Sequence, residues 1–143
     1  MNRRTPLNRQ GFSLIELMVV ITIIGVLGTI VTVNVIDYLN EADVTTTKAQ
    51  TGELVKVLNK YYMDNGRKFP KNLKSLEEKS KKTGEPYMKT LPSDAWGADF
   101  LYKRLKNGRD FELTSYGADG RDGGEGFDTD IKASKTGIEQ EKK

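Results

Sequence analysis

Apolar side chains run almost without a break from Phe12 to Ile36, then thin to a spacing of three to four residues as far as Tyr61, and afterwards scatter through short runs. No charged residue lies between Leu17 and Val33. At about 1.5 Å of rise per residue, a helix from Phe12 to Ile36 is long enough to cross a hydrocarbon layer of about 30 Å. Beyond it, Ala42, Ala49, Leu54, Val57, Leu58 and Tyr61 approximate one stripe, with Lys48, Glu53, Lys56 and Lys60 largely off it. One helix is therefore predicted to continue from the apolar segment into an amphipathic half whose stripe packs against the C-terminal part of the chain. Asp64-Asn65-Gly66 supplies its stop, because Asn and Gly tolerate the left-handed backbone at a helix C-terminus.

After the loop opened by Phe69-Pro70, Leu73 to Lys82 is expected to hold a short charged helix that breaks at Gly84-Glu85-Pro86. Phe100 to Leu105 and Phe111 to Tyr116 flank Lys106-Asn107-Gly108-Arg109, and Asn-Gly between two such runs is a strong hairpin signal. With Asn107 and Gly108 as the turn, Leu105 faces Asp110, Arg104 faces Phe111, Lys103 faces Glu112 and Tyr102 faces Leu113. Alternation then gathers Phe100, Tyr102, Phe111 and Leu113 on one face, which is expected to cover the helix stripe. A lone hairpin is marginal, so helix packing or a third strand is required. The tail, 132–143, has charge, Ser, Thr and Gly but almost no apolar content, and is expected to be disordered. The predicted fold class is α+β, with a long N-terminal helix on a small antiparallel sheet.

Charge adds direction to this outline. Arg3, Arg4 and Arg9 precede the apolar segment while Asp37, Glu41 and Asp43 come after it, so the positive-inside rule puts the leader in the cytoplasm and the body outside. A cleaved secretory signal has a shorter apolar region ending in small residues, which this segment lacks. The net charge of +3 across 143 residues is modest, and the body's basic residues are mixed with acidic ones, which argues against a nucleic-acid face. There is no cysteine and no histidine. Disulfides, thiolate metal sites, most zinc chemistry and the usual nucleophile–base pairs are thereby removed, and no catalytic motif of another kind appears, so an enzyme is not expected.

Glu16 is the odd residue of the apolar run, since a carboxylate there is costly and usually paired or functional. One reading has it snorkelling to the headgroups from its shallow position. The other gives it a cation: were the chain cut between Gly11 and Phe12, the new α-amine of a neighbouring copy could neutralise it and fix an axial stagger between subunits. The residues Arg9-Gln10-Gly11-Phe12-Ser13-Leu14-Ile15-Glu16-Leu17 closely resemble the class III signal sequence of type IV pilins and type II secretion pseudopilins. The resemblance implies cleavage after Gly11 by a membrane-embedded prepilin peptidase, N-methylation of Phe12 and a role for Glu16 in filament assembly. Thr32-Val33-Asn34 departs from the pattern, in which a proline commonly stands near the end of the apolar helix.

From Ser115 to Ile131 the chain crowds Asp119, Asp122, Glu125, Asp128 and Asp130 onto a glycine-rich backbone. Hard oxygen donors suit calcium, and a divalent ion would relieve the mutual repulsion; a solvated cluster of turns is the alternative. Neither the EF-hand pattern, which Arg121 interrupts, nor the β-helix calcium repeat, of which there is one imperfect copy, is met. Asp64-Asn65-Gly66-Arg67-Lys68-Phe69-Pro70, Leu91-Pro92-x-Asp94-x-Trp96-Gly97 and Gly117-Ala118-Asp119-Gly120 resemble the major pseudopilins of type II secretion systems, with Ala95 in place of a common proline. That proline's loss is expected to loosen one turn. The missing cysteines favour a pseudopilin over a type IV pilin, whose C-terminal region is commonly closed by a disulfide. The resemblance further implies a structural Ca2+ held by Asp119, Asp128 and Asp130 with the Tyr116 carbonyl, and leaves Asp122 and Glu125 without a clear counterpart.

Together these expectations divide the chain into a leader over 1–11, an apolar membrane and filament-core helix over 12–36, a periplasmic domain over 37–131 and the tail. They describe a non-enzymatic subunit of the bacterial inner membrane that polymerises with itself into a periplasmic pseudopilus. Its implied partners are minor pseudopilins, the prepilin peptidase and an inner-membrane assembly platform, with energy from a separate ATPase because no phosphate-binding loop is present. A type IV pilin for adhesion, motility or DNA uptake, and an uncleaved membrane-anchored calcium-dependent binding module, are the alternatives.

Overall fold

Helix α1 (Leu14–Asp64) carries both the apolar and the amphipathic pattern. The computed structural model describes residues 11–139, with the side chains of residues 30–34 excepted; the leader up to Gln10, the end of the tail beyond Glu139 and the side chains of the Thr32-Val33-Asn34 departure lie outside the described residues. The chain divides into two compact units, Met1–Tyr38 and Leu39–Lys143.

In the first unit, α1 displays large apolar side chains all round: Leu14, Ile15, Leu17, Ile21, Ile24 and Leu27 are each more than half exposed. A soluble surface rarely holds so continuous an apolar area without something to cover it. The expected span from Phe12 to Ile36 passes through residues 30–34, and among the described residues no helix is long and apolar enough to cross a membrane.

In the second unit, the buried face of α1 is Thr47, Thr51, Leu54, Val55 and Leu58, a helical repeat of four, three and four residues. This corrects the predicted stripe at its start, because Ala42 and Ala49 are exposed. Threonine is eligible for burial here because its hydroxyl is satisfied: Thr51 Oγ1 donates to the Thr47 carbonyl at 2.8 Å, and Thr47 Oγ1 accepts the Ala95 N–H at 3.1 Å. The helix ends as its sequence dictates. Asn65 and Arg67 donate their backbone N–H groups to the carbonyls of Tyr61 and Tyr62, both at 2.9 Å, with Gly66 at φ 64°. The expected helix over Leu73 to Lys82 is shorter than predicted, a single 3-10 turn at Leu73–Leu76 capped by Asn72. Only Leu76 of that turn is buried, so nothing favours extending it, and Gly84 at φ 76° returns the chain to pair Lys79 with Pro86.

The sheet is antiparallel in the order β1 (Leu101–Leu105), β2 (Asp110–Ser115), β3 (Ile131–Ser134), β4 (Gly137–Ile138). The β1–β2 register is the predicted one, with Tyr102 opposite Leu113, Lys103 opposite Glu112, Arg104 opposite Phe111 and Leu105 opposite Asp110. Its turn has Asn107 at φ 55°, ψ 32° and Gly108 at φ 87°, closed by the Arg109 N–H on the Lys106 carbonyl at 3.2 Å. Positive φ at both residues is what type I′ turns require, and Lys106 shares it at φ 48°. Phe100, Phe111 and Leu113 turn inward to join Leu54, Leu58, Phe69, Leu76 and Ala133 in one core. Phe69 stacks on Tyr62 at 4.6 Å between ring centroids and meets Phe111 edge-on at 4.8 Å, while the Tyr102 hydroxyl donates to the Pro70 carbonyl at 2.8 Å.

The tail is not disordered where it is described. Its first part completes β3 and forms β4, and Ala133 is fully buried opposite Leu113. Helix α1 holds the connection between them: Asn59 Nδ2 donates to the Lys135 carbonyl at 3.3 Å, and the Lys135 ammonium sits 4.2 Å above the Tyr62 ring. Beyond Ile131 this segment buries only Ala133 among its described residues and has little apolar content of its own. Its order comes from partners distant in sequence.

Candidate functional site

The sequence-predicted residues fall into two groups, one in each unit. At the N-terminal group, Gly11 and Phe12 precede the helix and Phe12 is exposed, so the peptide bond between them is accessible. Ser13 caps α1. Its Oγ accepts the Ile15 N–H at 3.3 Å, and the Glu16 carboxylate accepts the Ser13 N–H at 3.1 Å. This reciprocal arrangement satisfies helix donors that otherwise have no intrahelical partner. Sequence reasoning gave Glu16 either to the headgroups or to a neighbouring subunit and missed this local partner, although Ser13-x-x-Glu16 is the written form of a capping box. A carboxylate in the first turn also complements the positive end of the helix dipole.

The C-terminal group is positioned by a buried carboxylate. Asp94 Oδ1 accepts the Trp96 and Ala98 N–H groups at 3.2 and 2.8 Å, and its Oδ2 accepts the Ser115 hydroxyl at 2.6 Å. The neighbouring Ala95 N–H reaches Thr47 on α1. Asp94 and its loop thus tie α1 to the end of β2, from which the glycine loop departs. A proline in place of Ala95 would have no N–H to donate to Thr47.

The loop from Tyr116 to Asp130 winds closely around the backbone of Asp128. Gly117 adopts φ 68°, and a Cβ there would lie 2.8 Å from the Asp128 carbonyl oxygen; Gly124, at φ 100°, meets the same peptide group. Only glycine fits both the conformation and the space. The Ala118 N–H donates to the Phe127 carbonyl at 3.1 Å, and a 3-10 turn at Gly126–Asp128 carries Asp128 back toward β3. Asp119 Oδ1 accepts the Arg121 N–H at 3.0 Å. Asp130 Oδ1 accepts the Gly123 N–H at 3.1 Å, and its Oδ2 pairs with Lys132 Nζ at 2.9 Å. Lys132 also lies 3.7 Å from Asp122 Oδ1. Burial pushes the Asp130 carboxyl up, but the Lys132 ammonium and the Gly123 N–H outweigh it and hold the group below the usual carboxylate range.

Asp119, Asp128, Asp130 and Tyr116 therefore share one loop, and the side-chain and carbonyl oxygens they offer are the donor chemistry that calcium takes. The carboxylates of Asp119 and Asp130 are engaged by backbone N–H groups and Lys132, and among the described residues no group of three acidic side chains gathers closely enough to hold a metal. Asp122, which has no role legible in the sequence, is brought to Lys132; Glu125 contributes its carbonyl to the Asp128 N–H.

A family model described as type II secretion system (T2SS), protein G matches residues 34–134. The prokaryotic N-terminal methylation motif matches residues 6–32. The chain is 37% identical over 133 residues to the type II secretion system core protein G of Pseudomonas aeruginosa, covering 86% of this chain and 93% of that one. It is 34% identical to the protein of the same name from Escherichia coli K12, with coverages of 89% and 94%. Among solved structures it is similar to the major pseudopilin from the type 2 secretion system of enterohaemorrhagic Escherichia coli, at a TM-score of 0.51 and 26% identity, over 69% of this chain and 92% of that one.

Proposed function

The chain belongs to the type II secretion system protein G family, and from that premise we propose how its two sites serve a structural subunit of the pseudopilus in type II secretion. The observation that carries the proposal is the union, in one chain, of an N-terminal methylation motif over residues 6–32 and a protein G body over 34–134. The body match favours the pseudopilin over a type IV pilin.

The precursor enters the inner membrane through Phe12 to Ile36, with the basic leader cytoplasmic and the body periplasmic. A prepilin peptidase cuts between Gly11 and Phe12 and the new Phe12 amine is methylated. The exposed apolar surface of the first unit then passes from lipid to neighbouring copies, an exchange between two apolar surroundings that leaves little net desolvation cost. Glu16 pairs with the Phe12 amine of a neighbouring copy, and the charge pair sets the axial stagger. Repetition of a heterologous contact gives a filament rather than a closed ring. Minor pseudopilins and an inner-membrane platform complete the assembly, and the chain's role is structural rather than catalytic.

Calcium is the second part of the proposal. Asp119, Asp128 and Asp130 with the Tyr116 carbonyl would hold it, and it would supply positive charge to a loop that otherwise relies on lysine and backbone donors. Intact-mass measurement of full-length protein expressed in a host with a prepilin peptidase and extracted from its membranes tests the processing step. The expected species begins at Phe12 and carries one methyl group; a chain still beginning at Met1 would sink the pseudopilin assignment of Gly11, Phe12 and Glu16.

A further inference from the structure

We propose that the second unit is electrically polar along α1, and that its basic tip docks on the acidic base of a second copy further along the filament. The tip is built where α1 ends. Arg67 and Lys68 follow the helix directly, and the adjoining Phe69 N–H donates to the Gly108 carbonyl at 2.8 Å, which brings them to the β1–β2 turn with Lys106 and Arg109. All four of these basic residues are exposed. The carboxylates at hand are already taken, Asp64 by Lys82 at 2.6 Å and Asp110 by Lys106 at 2.8 Å. Among the described residues Arg67, Lys68 and Arg109 have no ion pair.

The base carries the opposite sign. β2 leads from Asp110, beside the turn, to Ser115, about 20 Å away at the rise of a strand. The glycine loop that leaves it shares a cleft with Val44 and Lys48, which lie about 30 Å and 24 Å of helix before Asp64. Carboxylates at this end outnumber Lys48, Arg121 and Lys132. Glu41, Asp122 and Glu125 are exposed, and none of the three is needed by the calcium reading. Copies that share one orientation set tip against base, where opposite charges attract, whereas tip against tip repels. The contact is heterologous and repeats without closing. This inference rests on the pseudopilus reading, which supplies the second copy; the separation of charge supplies its direction.

The test follows assembly of the full chain in cells that hold type II secretion machinery, read by imaging and by sedimentation of sheared filaments. Lys68→Glu with Arg109→Glu is expected to lower the assembled protein roughly tenfold, Asp122→Lys with Glu125→Lys to do the same, and the four substitutions together to recover to within about threefold of the parent. Raising the ionic strength should shorten sheared parent filaments, because a surface charge contact is screened. Recovery in the fourfold variant excludes misfolding as the cause of either loss. Should a reversal lower the melting temperature of the detergent-solubilised chain, Lys68→Gln with Arg109→Gln, which removes charge without inverting it, is expected to give a several-fold loss, and normal assembly from it refutes the docking. Reversals that assemble like the parent, or a fourfold variant no better than either reversal, overturn the docking of tip on base and leave the pseudopilus reading standing. Absence of filaments from the parent overturns that reading and this inference together.

Discussion

Asp94 and Ala95 show how much a single position depends on what lies across from it. A buried carboxylate is unfavourable unless hydrogen-bonded, and Asp94 receives two backbone N–H groups and one hydroxyl. Asp94→Ala leaves those donors without their acceptor and is expected to cost roughly 3 kcal/mol of stability, measurable by chemical denaturation; a change within error would mean that water replaces the carboxylate. The sequence placed Asp94 in a familiar element but not in this role, because Ser115 is 21 positions away and no local pattern joins them. Asn107 and Gly108 stand at the other extreme. Their preference for positive φ is intrinsic to the residues, so the turn and its register were legible from the sequence alone.

Among the elements, β3 and β4 were the ones the sequence concealed. Ile131 and Ala133 are the inward residues of β3, too few to mark a strand by alternation, and the polar outward positions read as tail. The structure separates two substitutions in that segment. Ala133→Asp puts a charge into a fully buried position and is expected to cost more than about 3 kcal/mol, whereas Thr136→Asp, at an exposed turn, should stay within about 0.5 kcal/mol. Thermal or chemical unfolding checks the pair, and two silent substitutions would restore the disordered tail. Helix α1 was legible in type, length and stop. Its buried face was displaced at the start, because counting apolar residues overlooks a threonine whose hydroxyl is already hydrogen-bonded.

At the scale of the whole molecule, the two units answer different requirements. The second encloses its own core; the first leaves large apolar side chains exposed along its helix, a surface that on the proposed reading lipid or other copies cover. Glu16 caps its own helix, and in the proposed filament it also offers a charge to a neighbour. The two contributions separate by substitution. Glu16→Ala removes both and is expected to stop filament assembly while membrane insertion persists. Glu16→Gln keeps an acceptor for the Ser13 N–H but loses the charge, so it too should fail to assemble in pull-down or filament imaging. Normal filaments from Glu16→Gln would assign Glu16 to helix capping alone.

The sequence by itself determined the long helix, its stop, the hairpin register and the processing motif, because each is written in residues within a few positions of one another: an apolar run, an Asn-Gly turn, a Gly-Phe junction with Glu16 shortly after it. Tertiary structure alone decided the burial of Thr47 and Thr51, the bridge from Asp94 to Ser115, and the ordering of the tail by Asn59 and Tyr62. Those features pair groups far apart along the chain or satisfy polar atoms within the core, and neither partner carries a local mark of the other.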